Sequence, residues 1–171
     1  MMGPDCGTAI VNDIGLGFSN KVRPGNIGII GASGTGSQEM SVRIHEFGGG
    51  VSQLIGTGGR DLSSEVGGRT MLDAIDLLEQ DPQTKVIALV SKPPAKEVEN
   101  TIINKVKTIS KPVVIWFIGN KETKVDDNVY FESMSKNASL KALELAAFDL
   151  TNVNKKALNL PLIKEIKEKL N

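Results

Sequence analysis

The feature that most constrains this chain is an alternation. Short continuous apolar runs are followed by glycine- or proline-marked turns and then by apolar residues at helical spacing. Asn26 to Ile30 is such a run; after the turn Gly31-Ala-Ser-Gly-Thr-Gly-Ser37, the stretch Gln38 to Phe47 sets Met40, Ile44 and Phe47 on one helical face. Val51-Ser-Gln-Leu-Ile55 repeats the order, with Gly56-Thr-Gly-Gly-Arg-Asp61 as its turn and Met71, Leu72, Ile75 and Leu78 as its helix. Val86-Ile-Ala-Leu-Val90 shows no polar alternation, as expected of a strand covered on both faces. Pro93-Pro94 then opens a helix carrying Val98, Ile102, Val106 and Ile109, and Pro112 to Ile118 is a fourth strand. Strands joined through helices pair in parallel, with right-handed crossovers and helices on both faces. The expectation is an α/β fold, a flavodoxin-like three-layer domain with a parallel sheet. Aromatic residues are only 4% of the chain, so the core rests on Ile, Val, Leu and Met, which disfavours a β-sandwich.

The flanks read less regularly. Thr8 to Val11 adds a short edge strand, while Gly119 to Tyr130 is polar without periodicity and reads as a loop. Ser139 to Phe148 returns to helix, and Pro161 starts a last helix, Leu162 to Leu170, with a solvated charged face. The division is a flavodoxin-like domain over 1–120, then a loop and C-terminal helices over 121–171. The turn-forming cluster from Met1 to Gly7 has no element before it, so the chain reads as a piece of something longer.

Twenty basic residues balance twenty acidic ones, so no long-range field draws the surface to nucleic acid or an anionic membrane. Any anion must be held locally. Cys6 is the only cysteine, which excludes an internal disulfide and points to a reducing compartment, the cytoplasm. No apolar run approaches the roughly 20 residues of a membrane span, and there is no signal-peptide pattern. No spacing of His, Cys and carboxylates suggests a metal site.

Both glycine-rich segments follow strands, and in open α/β sheets ligands collect beyond the carboxyl ends of strands. From Gly31 to Ser37, missing side chains expose backbone N–H groups, Ser33, Thr35 and Ser37 add hydroxyls, and the helix dipole favours negative charge. The anion-binding candidates are Gly31, Ser33, Gly34, Thr35, Gly36 and Ser37. The same glycines would also serve a tight turn that packs helix closely on sheet. A Walker loop fails because Ser37 stands where lysine must reach the phosphates. A dinucleotide fingerprint fails because the spacing is G-x-x-G-x-G and the second strand closes with Gly56-Thr57-Gly58, not an acidic residue.

The loop Gly58 to Gly68 is the second candidate: Gly58 and Gly59 give a flexible backbone, Arg60 a charged fork, and Asp61 and Glu65 bases. The alternative is a surface connection in which Arg60 and Asp61 are simply solvated. His45, the only histidine, lies off the apolar face and more than two turns beyond the glycine turn, and Cys6 has no neighbouring histidine to activate it. Catalytic residues are left unassigned.

Five segments, in order, resemble the second domain of the succinyl-CoA synthetase α subunit, and more closely the corresponding domain of FdrA proteins. They are Gly3-Pro-Asp-Cys-Gly-Thr8, Gly28-Ile-Ile-Gly-Ala-Ser-Gly-Thr-Gly36, Gly48-Gly-Gly-Val-Ser52, Ile55-Gly-Thr-Gly-Gly-Arg-Asp61 and Ser91-Lys-Pro-Pro94. The resemblance covers Gly3 to Gly119, about two thirds of the chain. It implies a CoA-ligase domain that normally follows a CoA-binding Rossmann domain, so that CoA would belong to the missing domain and no cofactor to this one alone. It also implies partners: the remainder of an FdrA-type protein or its partner subunits.

In those synthetases the helix after the Ser-Gly-Thr turn points at a phosphohistidine, and Ser33, Gly34 and Thr35 match that turn. The stretch that would carry the histidine reads Gly119-Asn-Lys-Glu-Thr-Lys-Val-Asp-Asp127, and Ser91-Lys92-Pro93-Pro94 replaces the active-site glutamate. FdrA-like proteins share these departures, and some are associated with oxamate carbamoyl transfer, whose reactants are also anions. The resemblance thus implies an anionic small-molecule ligand without the relay, or a non-catalytic structural or regulatory subunit. An independent flavodoxin-like electron carrier fits poorly, because the turn lacks the hydroxyl-rich run and flanking aromatics expected around a flavin.

Overall fold

The computed structural model describes residues 6–119, 123–151 and 153. The elements run β1 Thr8–Val11, β2 Ile14–Gly17, β3 Pro24–Gly31, α1 Gly34–Glu46, β4 Val51–Gly56, α2 Arg69–Gln80, β5 Val86–Ser91, α3 Lys96–Val106, β6 Val113–Phe117, β7 Thr123–Asp126, β8 Val129–Phe131 and α4 Ser135–Leu145. The sheet order is β2-β1-β4-β3-β5-β6-β8-β7. Its five central strands, β4-β3-β5-β6-β8, are parallel. Numbered by their own sequence order they read 2-1-3-4-5, the flavodoxin-like arrangement.

The sheet is mixed, not wholly parallel as the helix-linked strands implied. β1 pairs antiparallel with β4, β2 with β1, and β7 with β8. Each antiparallel edge comes from a hairpin, which needs only a tight turn. In the first, Asn12 and Asp13 both take positive φ (48° and 66°) between the paired residues Val11 and Ile14. That is the primed two-residue turn whose twist matches the strands. The second hairpin corrects the loop expected over Gly119 to Tyr130. β8 is three residues long, below the reach of a periodicity argument, yet Val129 and Phe131 are buried and Phe131 meets Phe117 edge-on at 6.1 Å between ring centroids. The expected helix at Leu162 to Leu170 lies outside the described residues.

The strands expose apolar side chains to both faces, and each face has its own helical cover. Ile27, Ile29, Leu54, Ala88 and Val114 pack under α1 and α4 with Met40, Ile44, Ala142 and Leu143. Ile30, Ile87, Leu89 and Ile115 pack under α2 and α3 with Met71, Ile75, Leu78 and Ile102. At the amino edge of the sheet a polar cluster ties α2 to β6. Lys111 Nζ donates to the carbonyls of Leu78 (2.6 Å) and Asp81 (2.7 Å), and Glu79 accepts from the Ser110 hydroxyl (2.6 Å) and N–H (2.9 Å). Burial pushes the Glu79 carboxyl up, but the hydrogen bonds from Ser110 and Lys111 and the Lys111 charge outweigh it and hold it below its ordinary value. Burial likewise pushes Asp81 up against hydrogen bonds from Thr84, Gln83 and Gln53 and the Lys111 charge, again with a net lowering.

A carboxyl depressed in the folded state stabilises it above the unfolded value and loses that contribution as pH falls through the folded value. Urea melts should therefore show stability falling once the pH drops below the ordinary values of 4.5 for Glu79 and 3.8 for Asp81. Glu79→Gln should flatten part of that fall; an unchanged acid limb would mean the cluster contributes nothing to it.

Candidate functional site

The glycine turn is built by contacts that only small residues allow. A Cβ on Gly31 would collide with the Ser37 hydroxyl, and one on Gly36 would stand 2.8 Å from Val90 Cγ1. Both glycines thus let α1 approach the sheet more closely than a side chain would permit. Ser33 is the N-cap (φ −111°, ψ 110°), and its Oγ accepts from Gly36 N–H at 3.2 Å. The Ser33 carbonyl accepts from the N–H (2.9 Å) and the hydroxyl (2.8 Å) of Ser37. The helix therefore starts at Gly34, four residues earlier than apolar spacing alone placed it.

These bonds sort the six candidates. Ser37 is fully buried and its hydroxyl is committed to the Ser33 carbonyl, so it does not face solvent as expected. Gly31 and Gly36 are buried packing positions. Gly34 and Thr35 are exposed, and their N–H groups have no partner among the described residues, as the first turn of a helix leaves them. Ser33, 8% exposed, keeps a free hydroxyl proton because its oxygen is the acceptor in the cap. No acidic side chain occupies the first turn of α1.

The topology puts this turn in a crevice. From β3 the chain passes through α1 on one face of the sheet, and from β5 through α3 on the other, so the switch point lies between these adjacent strands. Ala32 N–H donates to the Val90 carbonyl (2.9 Å) on one side, and Thr57 N–H to the Gly31 carbonyl (2.9 Å) on the other. Gly59 lies beside the Ala32 carbonyl, and the exposed Lys92 follows the end of β5. The two glycine segments thus meet at one edge. A shallow depression lined by Asn20, Thr35, Gln38, Glu39 and Val42 adjoins the turn. Another, under the hairpin at Ile10, Asp13, Lys21 and Val22, lies toward the amino ends of β3 and β4 and shares only Asn20 with the first.

Sequence reasoning missed two buried threonines at this edge. Thr57, 2% exposed, has a buried Oγ1 with no hydrogen-bond partner. Thr8 opens β1, and its Oγ1 stands 4.0 Å from the position of a Cβ on Gly34. Neither carries a spacing signal; only the register of β1 on β4 brings Thr8 to α1.

The second loop has a different use from the one its composition implied. Asp61 is 4% exposed, and its two oxygens accept from the N–H groups of Thr70 (3.0 Å) and Met71 (2.9 Å). It is the remote cap of α2, needed because the N-cap position holds Gly68 in the left-handed region (φ 73°) with no side chain to do so. Asp61 is therefore neither a base nor simply solvated. Arg60 and Glu65 pair at 3.2 Å, largely in solvent, where such a pair contributes little. Gly58 is buried at φ 88° and Gly59 is exposed.

His45 Nδ1 accepts from Arg23 N–H (3.0 Å), and the Arg23 guanidinium donates to the carbonyls of His45 (3.1 Å) and Gly49 (2.7 Å). The histidine fixes the far end of α1, about 16 Å along the axis from Gly34. Cys6 is half-buried beside the Thr8 carbonyl. Among the described residues, no cluster of His, Cys, Asp and Glu could hold a metal ion, and no helix is long and apolar enough to cross a membrane.

A central parallel sheet with a glycine turn at its switch point is a frame in which ligands collect beyond the strand ends, and the comparisons give the family. The chain belongs to the CoA binding domain family, whose profile matches residues 22–119. It is 57% identical over 171 residues to the uncharacterized protein YahF of Escherichia coli, covering 99% of this chain and 33% of that protein. To the ADP-forming succinate–CoA ligase subunit alpha of Aquifex aeolicus it is 29% identical over 122 residues, 70% of this chain and 39% of the subunit. Dinucleotide-forming acetyl-coenzyme A synthetase 1 of Ca. Korarchaeum cryptofilum, solved with phosphate and ADP, shares the fold at TM-score 0.57 and 16% identity over 91% of this chain and 31% of that one. The chain spans only a third to two fifths of the length of the two curated relatives. It is a CoA-ligase-like domain related to the succinyl-CoA synthetase α subunit.

Replacing Asp61 by alanine should leave two N–H groups at the start of α2 unpaired and lower unfolding stability by about 1–3 kcal/mol. Urea denaturation measures this; an unchanged midpoint would contradict the capping role.

Proposed function

We propose that this chain is the CoA-ligase domain of an FdrA-type relative of the acyl-CoA synthetases and binds a phosphate or acyl phosphate anion at the N-terminus of α1. The observation that carries the reading is the pair of unpartnered N–H groups on Gly34 and Thr35, exposed at the switch point beside the free hydroxyl proton of Ser33. Two N–H donors, a hydroxyl and the positive end of a helix are the groups a phosphoryl or carboxylate oxygen needs. Lys92, exposed just after β5, adds positive charge at the same edge, while Arg60 is matched by its pair with Glu65.

The turn suits one phosphoryl-sized group and fits the diphosphate of CoA poorly. Gly36 and Ser37 have already given their N–H groups to Ser33, which leaves too few donors for a second phosphate. CoA, on this reading, is held by another part of a larger assembly and meets the anion here. The chain contributes binding, orientation and charge stabilisation, with no step of its own assigned.

A second reading is favoured by one fact. His45, the only histidine, is committed to Arg23 at the far end of α1, so this chain alone has no phosphohistidine to face the turn. A domain that binds an anion without relaying it would serve as a structural or regulatory unit, or in a carbamoyltransferase that uses carbamoyl phosphate without a phosphoenzyme.

Calorimetric titration of the chain with inorganic phosphate, acetyl phosphate and CoA separates these readings from a bare packing turn. Saturable binding of the two phosphates is expected, with none of CoA alone. The double substitution Ser33→Ala, Thr35→Ala should weaken phosphate binding about tenfold while costing roughly 1 kcal/mol of stability through the lost cap. Wild-type protein that ignores both phosphates, or binds CoA more tightly than either, would overturn the proposal.

A further inference from the structure

The hairpin at the β1–β2 edge delivers a hydroxyl to the turn. β1 pairs with β4 in the register Ile10 opposite Leu54, which sets Thr8 opposite Gly56. The two backbones are close there, since a Cβ on Gly56 would come within 2.6 Å of the Thr8 carbonyl oxygen. Ile10 belongs to the core under α1, and strand alternation puts Thr8, two residues before it, on the same face. The base of the hairpin is held against α1: Phe18 N–H donates to the Gly7 carbonyl (2.7 Å), and the Gln38 side chain donates to the Phe18 carbonyl (2.5 Å). Thr8 Oγ1 is thereby fixed 4.0 Å from the Cβ position of Gly34, beside the first residue of α1.

Thr8 is 98% buried, at 2% exposure, yet its hydroxyl makes no hydrogen bond among the described residues. Among the described residues Thr57 Oγ1 alone is wholly enclosed without a partner, so the Thr8 hydroxyl, although it belongs to a buried residue, still opens to this edge, where a bound group can take the hydrogen bond it lacks. Strand propensity does not explain the choice of threonine, since valine suits a strand at least as well.

We propose that Thr8 is a ligand-binding residue whose hydroxyl donates to an oxygen of the anion seated on the Gly34 and Thr35 N–H groups. This rests on the phosphate reading of the turn and extends it. Donors would reach the ligand from two separate elements, β1 and the start of α1, as a tetrahedral oxyanion with several free oxygens requires. The ligand class is then a phosphate or acyl phosphate in which at least two oxygens are free to accept. The edge hairpin thereby becomes part of the binding site.

The test is phosphate titration of wild type, Thr8→Val and Thr8→Ser, with thermal melts of each. Thr8→Val should melt no lower than wild type and bind inorganic phosphate at least about tenfold more weakly. Thr8→Ser, which keeps the hydroxyl, should recover most of the affinity. Equal affinity in Thr8→Val and wild type would overturn the role of Thr8 and leave the turn standing, whereas no phosphate binding by wild type would overturn both. Should Thr8→Val not fold, the methyl resonance of Thr8 in wild type decides: it should shift with phosphate along the same saturation curve as the Gly34 amide, and a stationary methyl would refute the contact.

Discussion

The close approach of α1 to β3 is the constraint on which the carboxyl edge of this molecule depends. Gly31 makes room for Ser37, Gly36 makes room for Val90, and Ser33 caps the helix the moment the strand ends. A single larger residue at either glycine would push the helix outward and separate its N-terminus from the crevice between β3 and β5. Packing therefore fixes the residues on which the proposed binding rests. The glycines need no ligand to explain them, but the two N–H groups that remain open are left where strand order concentrates ligands in this architecture. The contrast with α2 makes the point: there the chain folds back to place Asp61 on the first N–H groups, and α1 receives no such carboxylate.

Much of this fold could be read from residue order. Apolar runs such as Val86 to Val90 and helical spacings such as Met71, Ile75 and Leu78 reflect burial, and burial leaves a periodic trace. The antiparallel edges left little trace because hairpins are specified by turn geometry and β8 by two side chains, Val129 and Phe131. The candidate site was legible in part for the same reason. Ser33, Gly34 and Thr35 announce a turn and a cap, while Ser37 reads as an outward hydroxyl although it is spent within the helix. Asp61 resembles a base in sequence because its partners, Thr70 and Met71, are backbone N–H groups that no composition reveals. Thr8 was invisible because its place beside α1 depends on the pairing of β1 with β4, a long-range fact.

Membership of the CoA binding domain family and kinship with the succinate–CoA ligase α subunit give the molecule its chemical setting. Within that setting the close-packed turn is what this chain's own residues bring to the edge of the sheet. The chain corresponds in length to a third of YahF.

The central claim is that two particular backbone amides receive an anion. Two-dimensional amide spectra of the isotope-labelled chain, recorded while inorganic phosphate is added at constant ionic strength, measure that directly. The account predicts saturable shifts confined to Gly34, Thr35 and their immediate neighbours, with the Arg60 and Thr70 amides of the second loop and α2 far less affected. Shifts that fail to saturate, or that centre on α2 or the hairpin tip while Gly34 and Thr35 stay still, would contradict it.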